Sequence, residues 1–429
     1  MEHSTPVVVF PSGHHGGLGI VRSLGRLAVP VYCVDASRHE PSSVSRYCRR
    51  RFLLDVEREG PAQSVRQLLE IGKAIGSMPI LIPTTDLTAI WVAQHGLELR
   101  KAFRFPEQSP ALVECLCDKS RMQELAEGNG VPTARSVVPQ SKEDVLRYLE
   151  SARFPVMVKA TDAARLRMRA GGTKFLVHSS RELLALYAKA EDRESPNLLI
   201  QEFIPGEDWM FNGYFDASSQ CLFGITGKKL RRFPSHTGVT SLGICTRNEV
   251  VERTTIEFMK AIRYRGILDI GYRRDQRDGQ YKVLDVNPRI GCTFRLFVST
   301  DGQDVARSLY CDLTGQKAPF AQPAEGRKWV VEDFDIFSAL RSAYERRLTL
   351  TQWATSLHGV DETAWFSLDD PLPLLMMIPA DWLELRRWLY GQLSTRWKRA
   401  APVRQSTEPV SMLPANASPV REKAEEGPC

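Results

Sequence analysis

The stretch that runs from "PVVVF" through "GHHGGLGIVRSLGRLA" to "VPVYCVD", within residues 6–35, constrains the fold more than any other part of this chain. Two short apolar runs flank a glycine loop and one helix-length segment. Strands joined through a single helix lie parallel, because only a crossover brings the second strand back beside the first. A second round follows, from "RRFLL" (50–54) through a helix over 61–75 to "PILIPT" (79–84). The pattern predicts a small doubly wound α/β domain, Rossmann-like in form, over residues 1–112.

The loop "GHHGGLG", with Asp35 closing the second strand, invites a dinucleotide site. That fingerprint needs a third glycine where the helix packs against the strand. Gly17 and Gly19 supply the first pair, but Arg22 occupies the third position, where an arginine would push the helix from the strand. The glycines are therefore read as a tight turn, without nicotinamide. His14 and His15 either line a ligand cleft at the strand ends or are solvated loop side chains.

At 429 residues the chain is too long for one core. The helix in "DKSRMQELAEGNGVPTA" (118–134), stopped at Gly130, opens a second domain over 113–318 in which strands, helices and hairpins alternate. Residues 319–400, rich in tryptophan, read as a helical extension, and 401–429, rich in Pro, Ala, Ser and Glu, as a disordered tail. The net charge of +6 is spread along the chain rather than gathered on one face, which argues against nucleic acid. Nine scattered cysteines, with no CxxC and no zinc spacing, suit a reduced, cytoplasmic setting. The N-terminus lacks a basic-then-apolar leader, and no run of about eighteen apolar residues could span a membrane.

Four separated features point to one chemistry. Lys159 ends the apolar strand "FPVMVKA", where an ammonium needs either an anion such as a phosphate or a route to water. Lys119 opens the helix after "CLCD". The strand "LLIQEFIPGEDW" (198–209) offers Glu202 and the backbone of Phe203 and Ile204 to an adenine edge, and Asp208 to ribose hydroxyls; a plain strand and turn is the alternative. In "YKVLDVNPRIG" (281–291), strict alternation puts Val283, Asp285, Asn287 and Arg289 on one face and Leu284 and Val286 on the other. With Asp269 from the preceding strand, Asp285 and Asn287 make an oxygen set suited to magnesium, and Arg289 could neutralise a transferred phosphate.

In that order, Lys119, Lys159, "IQEFIPGED" and acid-x-Asn-Pro-Arg resemble the ATP-grasp superfamily, of the carboxylate–amine ligase type. The resemblance covers about residues 6–320. It implies a Rossmann-like N-terminal domain, then an ATP-grasp fold of mixed α/β and α+β character, then the helical extension. It also implies that Lys119 and Lys159 hold ATP phosphates and that Asp285 and Asn287 hold Mg2+ (or Mn2+). Gly171 and Gly172 fall in the loop 160–175, which occupies the family's phosphate-covering position. Arg165, Arg167 and Arg169 there could greet an anion or be solvated. Two departures stand out: Asp285 replaces the usual Glu, and Gly271 stands where the upstream strand usually offers Glu or Gln, with Asp269 two residues earlier.

The activity so implied is phosphorylation of a small-molecule carboxylate by ATP to an acyl phosphate, followed by attack of an amine, with release of ADP and phosphate. Candidate carboxylate-binding groups lie in "GKKLRRFPSHTG" (227–238): Lys228 or Lys229, Arg231 or Arg232, and His236. Lys159 and Arg289 are the expected catalytic groups. A nucleotide-binding regulatory protein with a weakened metal site is the alternative. A third reading, a membrane-surface enzyme, rests on the amphipathic pattern of Trp382, Leu385, Leu389 and Leu393. Relatives of this type are often homodimers.

Overall fold

The computed structural model describes residues 3–160, 163–172, 174–192, 194–233, 238–317 and 322–377. The first four strands, β1 (Val7–Phe10), β2 (Val31–Asp35), β3 (Cys48–Leu53) and β4 (Ile80–Pro83), form a parallel sheet in the order β3-β2-β1-β4. The strand β1 is apolar and buried throughout, as a parallel strand covered on both faces requires. Helix α1 (His15–Gly25) follows β1, α2 (Pro61–Ile75) precedes β4, and α3 (Asp86–Gln94) follows it. Chain direction across the sheet reverses between β1 and β4, so a crevice opens at their carboxyl ends.

The turn into α1 is as tight as its glycines suggest: a Cβ at Gly17 would overlap the Ser12 carbonyl oxygen. Asp35 accepts the backbone N–H of Ser12 at 2.8 Å, closing the loop on itself. Arg22 does not push the helix from the strand. Its buried guanidinium turns to the segment 364–370, pairing with Asp370 at 3.0 Å and donating to the carbonyls of Ala364, Trp365 and Asp370. His14 caps α1, its Nδ1 accepting from Gly17 N–H. His15 is buried among Trp329, Phe334 and Trp365, and burial drives its pKa down to about 3. Neither histidine is a solvated loop side chain.

A second sheet, in the order β5-β8-β6-β7, is antiparallel and comprises β5 (Ser136–Val137), β6 (Val156–Ala160), β7 (Lys174–Val177) and β8 (Leu198–Glu202). Its own apolar core includes Val145, Val158, Leu183 and Ile200. The third sheet holds β9 (Gly206–Phe215), β10 (Cys221–Phe233), β11 (Val239–Cys245), β12 (Gly266–Asp275), β13 (Tyr281–Asn287), β14 (Lys328–Val330) and β15 (Val360–Thr363). Their order is β13-β12-β9-β10-β11-β14-β15. One core joins this sheet to the front one, with Val7, Leu18 and Ile82 packed in the same cluster as Met210, Ile225, Phe294 and Trp329.

Residues 319–400 were expected to be helical throughout, and the described part is mixed. Helices Glu332–Tyr344 and Leu350–Ser356 are present, but β14 and β15 extend the large sheet. The short "KWV" of β14 pairs with β11 on one side and with the edge strand β15 on the other, a tertiary choice that overrides local pattern. The amphipathic stretch 381–399, the tail 401–429 and His236 lie outside the described residues. Among the described residues no helix is long and apolar enough to cross a membrane.

Candidate active site

A cleft of about 610 Å³ lies between the second sheet and the β12–β13 end of the third. Lys119, Lys159, Lys174, Lys229 and Asp285 line it, together with the linker residues Glu202, Phe203 and Ile204. A smaller, mainly apolar cavity of about 270 Å³ lies beneath α3 and includes the Arg289 side chain, but the paired donors and acceptors gather in the larger cleft.

The polar end of β13 is built differently from strict alternation. Asp269 pairs with Asn287 and Gly271 with Asp285, but Tyr272 then pairs with Val283, leaving Leu284 as the extra residue of a β-bulge. Val283 and Val286 therefore share one buried cluster, while Leu284 and Asp285 both reach the cleft. The expectation that Val283 faces with Asp285 is corrected by that single inserted residue.

Lys119 opens the helix Lys119–Gly128, whose first N–H groups are capped by Asp118. Its Nζ meets Asp285 Oδ1 at 2.5 Å. Asp285 raises the Lys119 pKa, against the opposing effect of burial. Burial opposes charge on Asp285 as well, yet Lys119, helped by Lys159 and Lys229, holds its carboxyl well below the usual range. Asp269 is pushed the other way, upward, by burial. Asn287 Nδ2 donates to Asp269 Oδ2 at 3.2 Å, and an added Cβ at Gly291 would fall 2.5 Å from the Asp269 carboxyl carbon. Arg289 bridges elements: Nε donates to Asp86 Oδ1 of α3 at 2.8 Å and Nη2 to Asn287 Oδ1 at 3.3 Å.

Lys159 and Lys174 are cross-strand neighbours on β6 and β7. Lys159 Nζ donates to Gln201 Oε1 at 2.7 Å, a neutral partner. Burial, then Lys119 and Lys174, pull the Lys159 ammonium down to about 7. A polyphosphate beside it would reverse the local field and raise that value. If ADP binds here, its binding at about pH 8 should thus take up a proton, approaching one per site, and affinity should fall as pH rises above 7. Calorimetry in two buffers of unlike ionisation enthalpy measures the uptake. Equal uptake by wild type and Lys159→Met would overturn the assignment.

The linker is held from behind. Arg273 donates to Ile204 O at 3.1 Å and to Asp208 Oδ1 at 2.7 Å, with its guanidinium 5.5 Å from the Phe203 ring centre. Arg232 meets Asp208 Oδ2 at 2.7 Å, and Arg277 meets Glu202 Oε1 at 2.6 Å. Both acids expected to accept from a nucleoside thus already bind arginines, and Asp208 has both oxygens engaged. Phe203 and Ile204 keep their places on the cleft wall.

The remaining expected residues divide. Residues 160–175 are not simply a loop: a helix spans Ala163–Ala170, and Gly171 ends it in the left-handed region at φ 82°. Gly171 and Gly172 do not line the cleft, while Arg165 and Arg169 bind Asp192. Lys228 turns away, pairing with Glu207 at 2.8 Å over the Trp209 ring, and Arg231 binds Asp335. Lys229 and Arg232 reach the cleft. Register shifts at Lys229, Arg231 and Arg232 break the alternation of β10, so sequence spacing alone could not choose among these four. Lys174, Gln201 and Asp86 escaped sequence reading. For Lys174 the signal was available, since it falls across from Lys159 once the sheet is paired; Gln201 stands opposite Met157 and reaches Lys159 only diagonally.

The donors suit a magnesium ion only in part. Asp285 is kept ionised and Asn287 offers an amide oxygen, a fair match to a cation that takes one or two carboxylates beside phosphate oxygens. Opposite Asp285 stands Gly271, and among the described residues no group of three or more His, Cys, Asp or Glu is placed to hold a metal.

Comparison with known proteins adds the fold. The sequence is 27% identical over 259 residues to D-aspartate ligase of Enterococcus faecium, covering 58% of this chain and 61% of that protein. It is 23% identical over 226 residues to the carbamoyl phosphate synthase large chain of a Thermoanaerobacter species, covering 48% and 20%. The chain thus spans less than two thirds of the length of these curated relatives. No family model matches it. Among solved structures, N5-carboxyaminoimidazole synthetase from Staphylococcus aureus, complexed with ADP, superposes at a TM-score of 0.59 and 12% identity, over 80% of this chain and 86% of that one. L-amino acid ligase from Bacillus licheniformis gives 0.55 and 15%, over 76% of each.

Proposed function

We propose that this chain, which has the ATP-grasp fold, is an ATP-dependent ligase that joins a small-molecule carboxylate to an amine. The observation that carries the reading is the gathering of Lys119, Lys159, Lys174 and Lys229 around Asp285 in one cleft, beside the linker wall of Phe203 and Ile204. With Glu202 and Asp208 already paired to arginines, four lysines beside Asp285 leave a surplus of positive charge suited to a polyphosphate. The linker wall would take the adenine.

In the first step a substrate carboxylate oxygen attacks the γ-phosphorus, and the bond to the β-bridging oxygen breaks with its electron pair leaving on ADP. Lys119, Lys159, Lys174 and Lys229 orient the phosphates and offset the charge, work that is mostly positioning and electrostatics. In the second step the amine nitrogen bonds to the acyl carbon and the carbon–oxygen bond to phosphate breaks. An ammonium substrate gives up two protons in all, one of which leaves with inorganic phosphate. Asp285 and Asn287 would hold Mg2+, or Mn2+, which when bound supplies charge neutralisation at the phosphate oxygens. Arg289 supports Asn287 from behind.

A non-catalytic nucleotide-binding protein is the second reading, favoured by the glycine at 271. The two separate on one experiment. The protein is incubated with ATP, magnesium, hydroxylamine and, in turn, each common amino acid and short-chain acid. We expect ADP and a hydroxamate in equal amounts from one carboxylate class. ADP binding without hydroxamate from any acid would leave the regulatory reading in place.

A further inference from the structure

The carboxyl ends of β1 and β4 meet the turn after β13 through the contacts of Arg289 with Asp86 and of Cys292 with His14. The loop after β1 and the residues after β4 meet there, His14 Nε2 lying 3.0 Å from Thr84 Oγ1. Arg289 spans from the Asn-Pro-Arg turn to Asp86 at the start of α3. Cys292 Sγ lies 3.5 Å from His14 Nδ1. The position where carboxyl ends of parallel strands diverge is where open α/β sheets take ligands. Here it adjoins the polar end of the proposed phosphate site, not its adenine wall.

An amine that attacks an acyl phosphate arrives as an ammonium, so it needs an acceptor. The groups of this crevice can be taken in turn. Thr84 donates its hydroxyl proton to Pro11 O at 2.6 Å, so His14 Nε2 is the donor toward Thr84. His14 Nδ1 accepts from Gly17 N–H, and burial lowers its pKa to about 4. Cys292 is pushed up to about 11 by burial, leaving a neutral thiol. Asp269 accepts from Asn287 against Gly291, and Asp285 holds Lys119. Asp86 differs from all of these. Its side chain is 48% exposed, Oδ1 takes Arg289, and Oδ2 has no hydrogen-bond partner among the described residues.

We propose that Asp86 is the receptor for the acceptor substrate, a primary ammonium that its Oδ2 holds in the crevice between β1 and β4. The inference rests on the ligase reading and adds the side from which the second substrate enters. Arg289 then has two duties, supporting Asn287 and fixing the Asp86 carboxylate by its other oxygen. The front domain contributes to the chemistry through this one side chain.

Hydroxylamine separates this from the simpler view that Asp86 only positions Arg289. It is small and largely uncharged near neutral pH, so it can trap an acyl phosphate without an ammonium receptor. The test compares wild type, Asp86→Asn and Asp86→Glu on the carboxylate class found above, with hydroxylamine or with amino acids and ammonia as acceptors. Asp86→Asn should keep hydroxamate formation within about twofold, while KM for the amine rises about 10- to 100-fold, the effect of one lost charge-assisted hydrogen bond. Asp86→Glu should recover part of that loss. Retained hydroxamate formation also shows that the variant is folded. If hydroxamate and amide formation fall together, Asp86 is a support for Arg289 and the proposal is wrong. It is wrong too if neither changes. If wild type makes no hydroxamate at all, the ligase reading itself has failed and the proposal goes with it.

Discussion

On the proposed ligase reading, carboxylate-dependent ADP release should fall about 100- to 1,000-fold in Asp285→Ala, the scale seen when one preorganised charge-stabilising group is removed. Asp285 has two roles that alanine cannot fill. It pairs with Lys119 at 2.5 Å and lies in the field that keeps several lysines close together. Without it, Lys119, Lys159 and Lys174 face one another with one fewer anion, and each ammonium becomes costlier to hold charged. It is also the carboxylate that the structure keeps ionised toward the expected metal. Nucleotide binding should respond less than turnover, because the lysines still meet phosphates. Steady-state ADP release and ADP titration together check this. Unaltered turnover in the variant would remove Asp285 from the mechanism.

The opposite sign is expected at Gly271. This residue lies across from Asp285, and a Cβ there would meet nothing nearer than Asp285 Cβ and O at 4.0 Å. Gly271→Glu therefore fits sterically and adds a second carboxylate to the ion site. Mn2+ binding, followed by electron paramagnetic resonance, should tighten on the order of tenfold. An unchanged affinity would show that Asp285 and Asn287 do not face a metal.

How far the sequence could be read depends on the range of the force involved. The strand–helix alternation of the first 112 residues and the order of Lys119, Lys159, linker and Asn-Pro-Arg are local or ordered patterns, and the structure assembles their lysines and Asp285 in one cleft. Period-two reasoning failed where a bulge inserted one residue, at Leu284, and along β10 at Lys229–Arg232. The acids Glu202 and Asp208 looked free because their arginine partners, Arg277 for Glu202 and Arg232 and Arg273 for Asp208, lie on other strands and a turn further along the chain. Asp86 was silent for the same reason: its significance comes from Arg289, 203 residues distant. Pairwise electrostatics between remote residues leaves no periodic trace in a sequence.

Arg22 shows that long-range effect at its largest, and here the expected outcome concerns stability. Arg22→Ala should lose about 3–5 kcal/mol, as when one partner of a buried ion pair is removed. The pair is enclosed, with Arg22 and Asp370 side chains 4% and 2% exposed. Asp370 also accepts from Ser45 Oγ at 2.7 Å and Arg46 N–H at 2.9 Å, so alanine at 22 leaves a buried carboxylate with fewer donors and three carbonyls without theirs. The residue that spoils a dinucleotide fingerprint is, on this account, the bolt that fastens the segment 364–370 to α1. Urea unfolding measures the loss. The double variant Arg22→Met with Asp370→Leu should be milder than the sum of the single changes, because it removes both charges together. Additive losses, or a cost below about 1 kcal/mol for Arg22→Ala, would mean that solvent reaches this pair and that the front sheet is held by its apolar core alone.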